Sequence, residues 1–456
     1  MKKLLALLLV ALLAFSCLAA CKKDPDPTKT GTLKIWSFTS ELQVHAIAFQ
    51  KTHPDVTVEY TQIAMTDGEY QAKVIAAATT KDCPDVVALE AAFVRQWVEG
   101  SMLANLNDLL PLAKTLGTYQ STIDVGTFDG ECRAFSYQST PGAVFYRRSL
   151  AKEYFGTDDP AEIQAMMYVD GKDFSKFTEM AATVKEKSDG NTFMVSSIGD
   201  FQSLFFSNRA QPWVVDGKFV IDPMIDELFE IAKTFRDNAY ESQATQWSEG
   251  WFAGMNDVLV SADGTAQQIF CYFLPTWGLP YVLAKNGIDT AGDWGVVSGP
   301  MAYQWGGTWV GAMKNASNLV LAKEFVTFVA LDETNLTNWA QGVYTNEYLK
   351  AIDPDCGELA QAAGDFVSSK VVVDKITASF DDSAMSEYLG GQNSYGGFAA
   401  AAPNVSAKLM QGTDDEIQRI MADKLLAYAE GSKTKEEAMK DFKDAVASAL
   451  SNITVE

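Results

Sequence analysis

Six of the chain's ten tryptophans fall between positions 247 and 309, at Trp247, Trp251, Trp277, Trp294, Trp305 and Trp309, in an irregular stretch rich in glycine. An indole offers a flat apolar face and a single N–H donor, which suits a ligand with apolar ring faces and polar edges. Acceptors are at hand in Glu90, which closes a strand-like run, and in Glu41, which opens a helical one. Nucleophile and metal signatures are missing. The only histidines, His45 and His53, lie in or beside one helical segment and read as two surface side chains. Cys83, Cys132, Cys271 and Cys356 are too far apart for a CxxC motif; they could pair in three ways or stay as buried thiols. No cofactor and no metal are expected.

The elements that must position these residues alternate. TLKIWSF (32–38) reads as a strand, SELQ (40–43) as a capping box, and Leu42, Ala46, Ile47 and Phe49 recur at helical spacing up to Pro54. VTVEY (56–60) alternates as a strand, TDGE (66–69) is a second capping box, and DVVAL (85–89) is a short buried strand before a helix carrying Phe93, Val94, Trp97 and Val98. Strand and helix in turn predict an α/β unit with a mainly parallel sheet. Ligands of such sheets bind beyond the carboxyl ends of the strands, here marked by Trp36, Ser37 and Glu90. Further helices are predicted at 174–187, 226–237 and 317–330. Near the end, Ile417, Ile420, Met421, Leu425 and Tyr428 form a stripe, and TKEE (434–437) caps a last helix. Trp97 and Trp339 fall on helical stripes and read as core. The acidic clusters 158–159, 381–382 and 414–416 read as solvated loops and helix starts.

The chain of 456 residues is long enough for two or three domains, and 47% hydrophobic content is that of a globular protein. A formal charge of −23 argues against nucleic acid, anionic membrane surfaces and polyanions as partners, and favours a neutral ligand. At the start, Lys2 and Lys3 precede twelve apolar residues (4–15) and then small ones leading to Cys21, the order of a secretory signal peptide. A membrane span needs about 18–20 apolar residues, so the run is short for one. LAAC (18–21) resembles the lipobox of bacterial lipoproteins, whose cysteine is lipidated and becomes the first mature residue. The resemblance implies a signal peptide over 1–20 and lipidation at Cys21. Two acyl chains on one residue would anchor stably where one would not. Residues 21–31 then form a lipidated tether, of which DPDPTKTG (24–31) is polar and stiffened by proline.

Over nearly the whole mature chain the sequence resembles the extracellular solute-binding proteins of carbohydrate ABC transporters, the group that includes maltose-binding protein. LKIWSF with AFQKTHPDVTVEY, CPDVVALE with EGSMLANLNDL, GAVFYRRSLAKEYFG, LPTWG, GGTWVGAMKNASNLVLAKEFVTFVALDETN and EGSKTKEEAMKDF carry it in order. Residues 357–403 depart from the pattern. The resemblance implies a two-lobe periplasmic-binding-protein-like fold, with two discontinuous α/β lobes around a ligand cleft joined by hinge strands. The crossings are expected near Pro141, Trp309 and Thr345. Lobe 1 would hold 32–140 and 309–345, and lobe 2 would hold 141–308 and 346–456.

What the resemblance implies for the site is a sugar, whose C–H faces stack on aromatic rings and whose hydroxyls meet carboxylates and amides. Trp277 in LPTWG matches the family's stacking tryptophan, and Glu90 matches an acidic hydroxyl ligand. For Glu90 the alternative is a helix-start carboxylate favoured by the helix dipole. Trp305 and Trp309 are either a stacking wall at the return crossing or core. Trp36 and Trp251 are weaker wall candidates, Glu41 is a ligand or a helix-start acid, and Ser37 and Tyr137 are hydrogen-bonding candidates at strand ends. The expected protein is a non-catalytic monomeric receptor, lipid-anchored to the cell membrane and facing outward, that passes sugar to the ABC permease. The alternative is a surface-tethered glycoside hydrolase, which would need two carboxyl groups about 5–9.5 Å apart; a structural adhesin fits the tryptophan distribution poorly.

Overall fold

The computed structural model describes residues 29–359, 365–379 and 384–456. Cys21, most of the tether and the acidic pair at 381–382 lie outside the described residues. Eight strands carry the two main sheets: β1 (Gly31–Ser37), β2 (Val56–Gln62), β3 (Val86–Glu90), β4 (Phe135–Ser136), β5 (Gly142–Arg147), β6 (Cys271–Pro275), β7 (Trp294–Val297) and β8 (Thr308–Ala312).

In the first lobe the sheet order is β2-β1-β3-β8-β4. β1 runs parallel to β2 and β3, as helix-linked strands must, whereas β8 returns from the second lobe and lies antiparallel between β3 and β4. Leu33, Ile35 and Ser37 of β1 are buried at period two, with Lys34 and Trp36 half-buried between them. The Glu41–Thr52 helix buries not one stripe but every residue from Val44 to Phe49, together with Leu42. It is wedged between the sheet and the Leu319–Leu331 helix, so both flanks are covered. His45 itself meets the Glu333–Ala340 helix and is no surface residue. It is fully buried, 3.3 Å from Asn335 Oδ1, with its ring 4.4 Å from that of Trp339. Burial holds it neutral, with its pKa lowered to about 4.

The second lobe is centred on an antiparallel sheet of order β6-β5-β7. All six residues of β5 are buried, because helices cover both faces. Phe177 of the Ser175–Lys187 helix packs on Phe273, and Phe398 of the Ser394–Ala401 helix packs on Phe145. Each such fully buried ring contributes roughly 1.5–3 kcal/mol of apolar transfer.

Residues 136–142 and 303–308 pair at the junction of the lobes. Gly142 N donates to Tyr303 O (2.7 Å), Trp305 N to Thr140 O (3.2 Å) and Thr140 Oγ1 to Gly306 O (2.8 Å). A third segment joins the same side, with Ser139 N donating to Phe366 O (2.9 Å) and Ser368 N to Tyr137 O (3.0 Å). The expected crossing near Thr345 is displaced. Residues 365–378 still pack on the first lobe, where Tyr119 N donates to Ser368 O (2.9 Å) and Ser369 Oγ to Leu116 O (2.8 Å). The chain joins the second lobe only after Ala378, since Tyr388 OH bonds Leu283 O and Gly287 O at 3.0 Å each.

Of the three expected capping boxes only TKEE forms, with both reciprocal bonds between Thr434 and Glu437. Ser40 has helical φ/ψ (−73°, −14°) and caps nothing with its side chain, because an N-cap needs an extended backbone. Thr66 is drawn into a short 3₁₀ turn, and the helix Glu69–Ala77 starts instead from left-handed Gly68 (φ +75°). Among the described residues, Cys83, Cys132, Cys271 and Cys356 are free, buried thiols.

Candidate functional site

β3 ends at Glu90, whose extended backbone lets its side chain accept from Ala92 N (2.7 Å) and cap the Ala91–Glu99 helix. Ala91 N donates to Gly307 O (3.1 Å), so this corner of the first lobe abuts the crossing segment that holds Trp305 and Gly306. A cavity of about 350 Å³ opens here, lined by Glu90 and Arg95 from the first lobe, Trp305 at the crossing, and Ser203, Arg209 and Asp415 from the second. That volume is at the small end for small-molecule sites. Burial raises the pKa of Glu90, opposed by the amides of Ala92 and Ala91. In the cavity wall Arg209 Nη2 donates to Asp414 Oδ2 (2.9 Å). Asp414 is thus not the solvated helix start its sequence suggests. Its burial outweighs the pairing with Arg209 and lifts its pKa to about 6.

Next to the cavity stands an aromatic wall. Trp277 follows β6, donates Nε1 to Trp305 O (3.0 Å), and lies with its ring centroid 5.2 Å from that of Trp305. Gly306 (φ +74°) makes this fit possible, since a Cβ there would lie 2.8 Å from Trp277 Nε1. Trp247 runs parallel to Trp277, 6.3 Å away with planes 6° apart, and meets Trp305 edge-on at 6.0 Å.

A second polar cluster forms beyond the end of β1. Tyr137 OH donates to Glu41 Oε2. Burial raises the pKa of Glu41, and the charge of Asp365 raises it further. Asp365 is itself raised by burial, against donors Trp339 Nε1 (2.6 Å) and Gln138 Nε2 (3.1 Å). The charges of both carboxyls also act on the phenol of Tyr281 from the second lobe, whose pKa is raised chiefly by burial. Ser37 is buried and spends its hydroxyl on a turn, donating to Thr39 O (3.0 Å) and accepting from Thr39 N (3.1 Å).

The nine predicted residues thus divide. Trp305 and Glu90 line the cavity with Trp277 packed on Trp305, Glu41 and Tyr137 form the second cluster, Ser37 is spent on its turn, and Trp36 stands half-buried against the first-lobe core. Trp309 and Trp251 belong to the interior. Trp309 is 1% exposed on a strand covered on both faces, with Nε1 bonded to Thr122 O (2.9 Å). Trp251 has no exposed surface and donates Nε1 to Asp200 Oδ1 (3.1 Å). Neither offers a face to a ligand. Sequence reasoning missed Asp365, which sits in the region that departs from the family pattern, and the Arg209–Asp414 pair, whose members are 205 positions apart. Trp247 was visible only as one member of the tryptophan cluster. Among the described residues no group of three or more His, Cys, Asp or Glu could hold a metal ion, and no helix is long and apolar enough to cross a membrane.

Residues 46–350 match the family described as bacterial extracellular solute-binding protein. The chain belongs to that family. A search of curated proteins finds no match. Among solved structures, this solute-binding protein is similar to an extracellular solute-binding protein of family 1 (TM-score 0.73, 16% identity, covering 92% of this chain and 99% of the other). It is also similar to the sugar-binding protein MalE of Xanthomonas citri (TM-score 0.66, 15% identity, 92% and 97%). A third is the galacto-N-biose-/lacto-N-biose I-binding protein of the ABC transporter from Bifidobacterium longum, in complex with lacto-N-biose (TM-score 0.65, 13% identity, 94% and 100%). At such identities the likeness establishes the two-lobe periplasmic-binding-protein-like fold. The solute-binding protein's family is extracellular, which puts its work outside the cytoplasm.

Proposed function

We propose that this solute-binding protein is a non-catalytic receptor that captures a neutral sugar or oligosaccharide between its lobes and delivers it to an ABC importer. One observation carries the reading: the cavity is lined by both the carboxylate Glu90 and the indole of Trp305, against which Trp277 packs. Indole faces take sugar C–H faces, and the carboxylate takes hydroxyls. Similar structures are described as binding lacto-N-biose, β-1,6-galactobiose and maltose, which supports the same class of ligand. Glu41 and Tyr137 are proposed as a second polar contact. Lipidation at Cys21, with residues 1–20 removed and 21–31 as leash, would hold the receptor at the membrane. In that case Cys21→Ser should free the protein from the membrane fraction, and continued membrane association with normal trimming would refute it.

The deciding experiment is calorimetry and product analysis against lacto-N-biose, β-1,6-galactobiose and maltose. Saturable binding with the glycan recovered intact is expected. Release of monosaccharides would favour the hydrolase reading, and the absence of any binding would refute the carbohydrate assignment.

A further inference from the structure

Trp247 is the only one of the ten tryptophans that is exposed, at 52%. Its backbone lies at φ +67°, in the left-handed region that bulky residues rarely enter. Strain of that kind persists only where surrounding structure imposes it, and it gathers at functional sites. The surroundings here are well bonded. Ser248, the next residue, caps the Glu249–Met255 helix by accepting from Trp251 N (3.2 Å). The Trp247 ring rests 5.3 Å from that of buried Trp251, which Asp200 holds in turn. The exposed indole is therefore a fixed plate and not a loose surface side chain.

The plate adjoins the cavity through Trp305. Trp305 lines the cavity and meets Trp247 at 6.0 Å, while Trp277 lies parallel to Trp247 at 6.3 Å. A cavity of about 350 Å³ leaves a longer ligand to run out over the adjoining surface, and exposed Trp247 packs on Trp305, which lines the cavity. Accepting the carbohydrate-receptor reading, we infer that Trp247 is an outer stacking platform for a second or later pyranose ring. The ligand class is then an oligosaccharide, not a monosaccharide. Preorganisation lowers the ordering cost of such a contact, so affinity should climb with chain length.

The test uses two ladders, glucose–maltose–maltotriose and galactose–β-1,6-galactobiose–β-1,6-galactotriose, titrated into wild type, Trp247→Ala and Trp247→Phe. In the ladder that binds, wild type should gain about tenfold or more in affinity between the shortest and longest members, equal to about 1.4 kcal/mol. Trp247→Ala should erase that increment while leaving the affinity of the shortest member in place, and Trp247→Phe should keep most of it. Equal weakening of all members by Trp247→Ala, no weakening at all, or no length dependence in wild type would overturn the inference. If wild type binds neither ladder, the receptor reading falls and the inference with it. A ligand-free control asks whether the ring is kept for stability: φ +67° is glycine territory, so Trp247→Gly should melt within a few degrees of wild type. A large drop in melting temperature would make the ring structural and overturn the proposal.

Discussion

Two tryptophans in the same stretch show how burial decides a residue's role. Trp277 is half-buried against Trp305 of the cavity, whereas Trp309 is sealed in the first-lobe core. Trp277→Ala should cost on the order of 2 kcal/mol in sugar affinity, about thirtyfold, with a smaller loss of stability. Trp309→Ala should do the reverse, losing about 3–5 kcal/mol of stability with the affinity of the folded protein little changed. Denaturation and calorimetry on both variants check the contrast, and matching profiles would contradict it. Asp200 makes a second test at this scale. It is buried against Cys271, Tyr272 and Tyr303, accepts from Ser197 N (3.0 Å) and Trp251 Nε1, and has its pKa raised by burial to about 7. An acid raised on folding contributes stability that is fully present below its ordinary value of 3.8 and is lost as pH rises through about 7. The melting temperature of Asp200→Asn relative to wild type should therefore rise between pH 4 and pH 8. A flat difference across that range would show that the carboxyl is not held protonated.

At the scale of elements, the site depends on how two crossing segments lie against each other. Residues 136–142 and 303–308 are paired by backbone and hydroxyl bonds, and Gly306 within them sits where φ is +74° and no Cβ fits. Gly306→Ala meets both a strained backbone and the Trp277 ring. It should destabilise by about 1–3 kcal/mol and displace the indole, weakening sugar binding beyond what the stability loss explains. Unchanged affinity in that variant would mean that the wall tolerates displacement. The Ala91–Glu99 helix adds a contact across the lobes: Gln96 Nε2 donates to Gly412 O (3.2 Å) and Gly412 N to Glu99 Oε1 (3.1 Å). Both bonds grip the backbone of one residue just before the Asp414–Ala429 helix.

For the whole molecule, two lobes on paired crossing segments are the arrangement that allows hinge closure. A ligand that touches both lobes shifts the population toward the closed form by its differential affinity for the two. Small-angle scattering should show a smaller radius of gyration on adding the glycan that binds in calorimetry, and Glu99→Ala should widen the ligand-free distribution. Tight binding with no compaction, in a protein not already closed, would count against capture by closure.

Much of this was readable from sequence because its causes are local. A strand-like run marked β1, alternation marked β2, helical stripes marked the Asp414–Ala429 and Lys435–Ala449 helices, and Thr434 with Glu437 declared the one capping box that forms. The order of motifs pointed to the family and to the two-lobe fold. Burial was decided elsewhere. His45 became a core residue because Asn335 and Trp339 of the Glu333–Ala340 helix, far along the chain, pack against its ring. Trp309 and Trp251 were lost as ligand walls because strands and helices close over both their faces. Asp365 entered the site because residues 365–369 pair with the crossing segment near Gln138, a meeting of positions more than 200 residues apart that no local pattern records. Trp247 remained on the surface because a left-handed turn points its ring away from the core that buried Trp251, four residues later, enters. Propensity and pattern act over a few residues, whereas which face meets water is set by whatever distant segment packs against it.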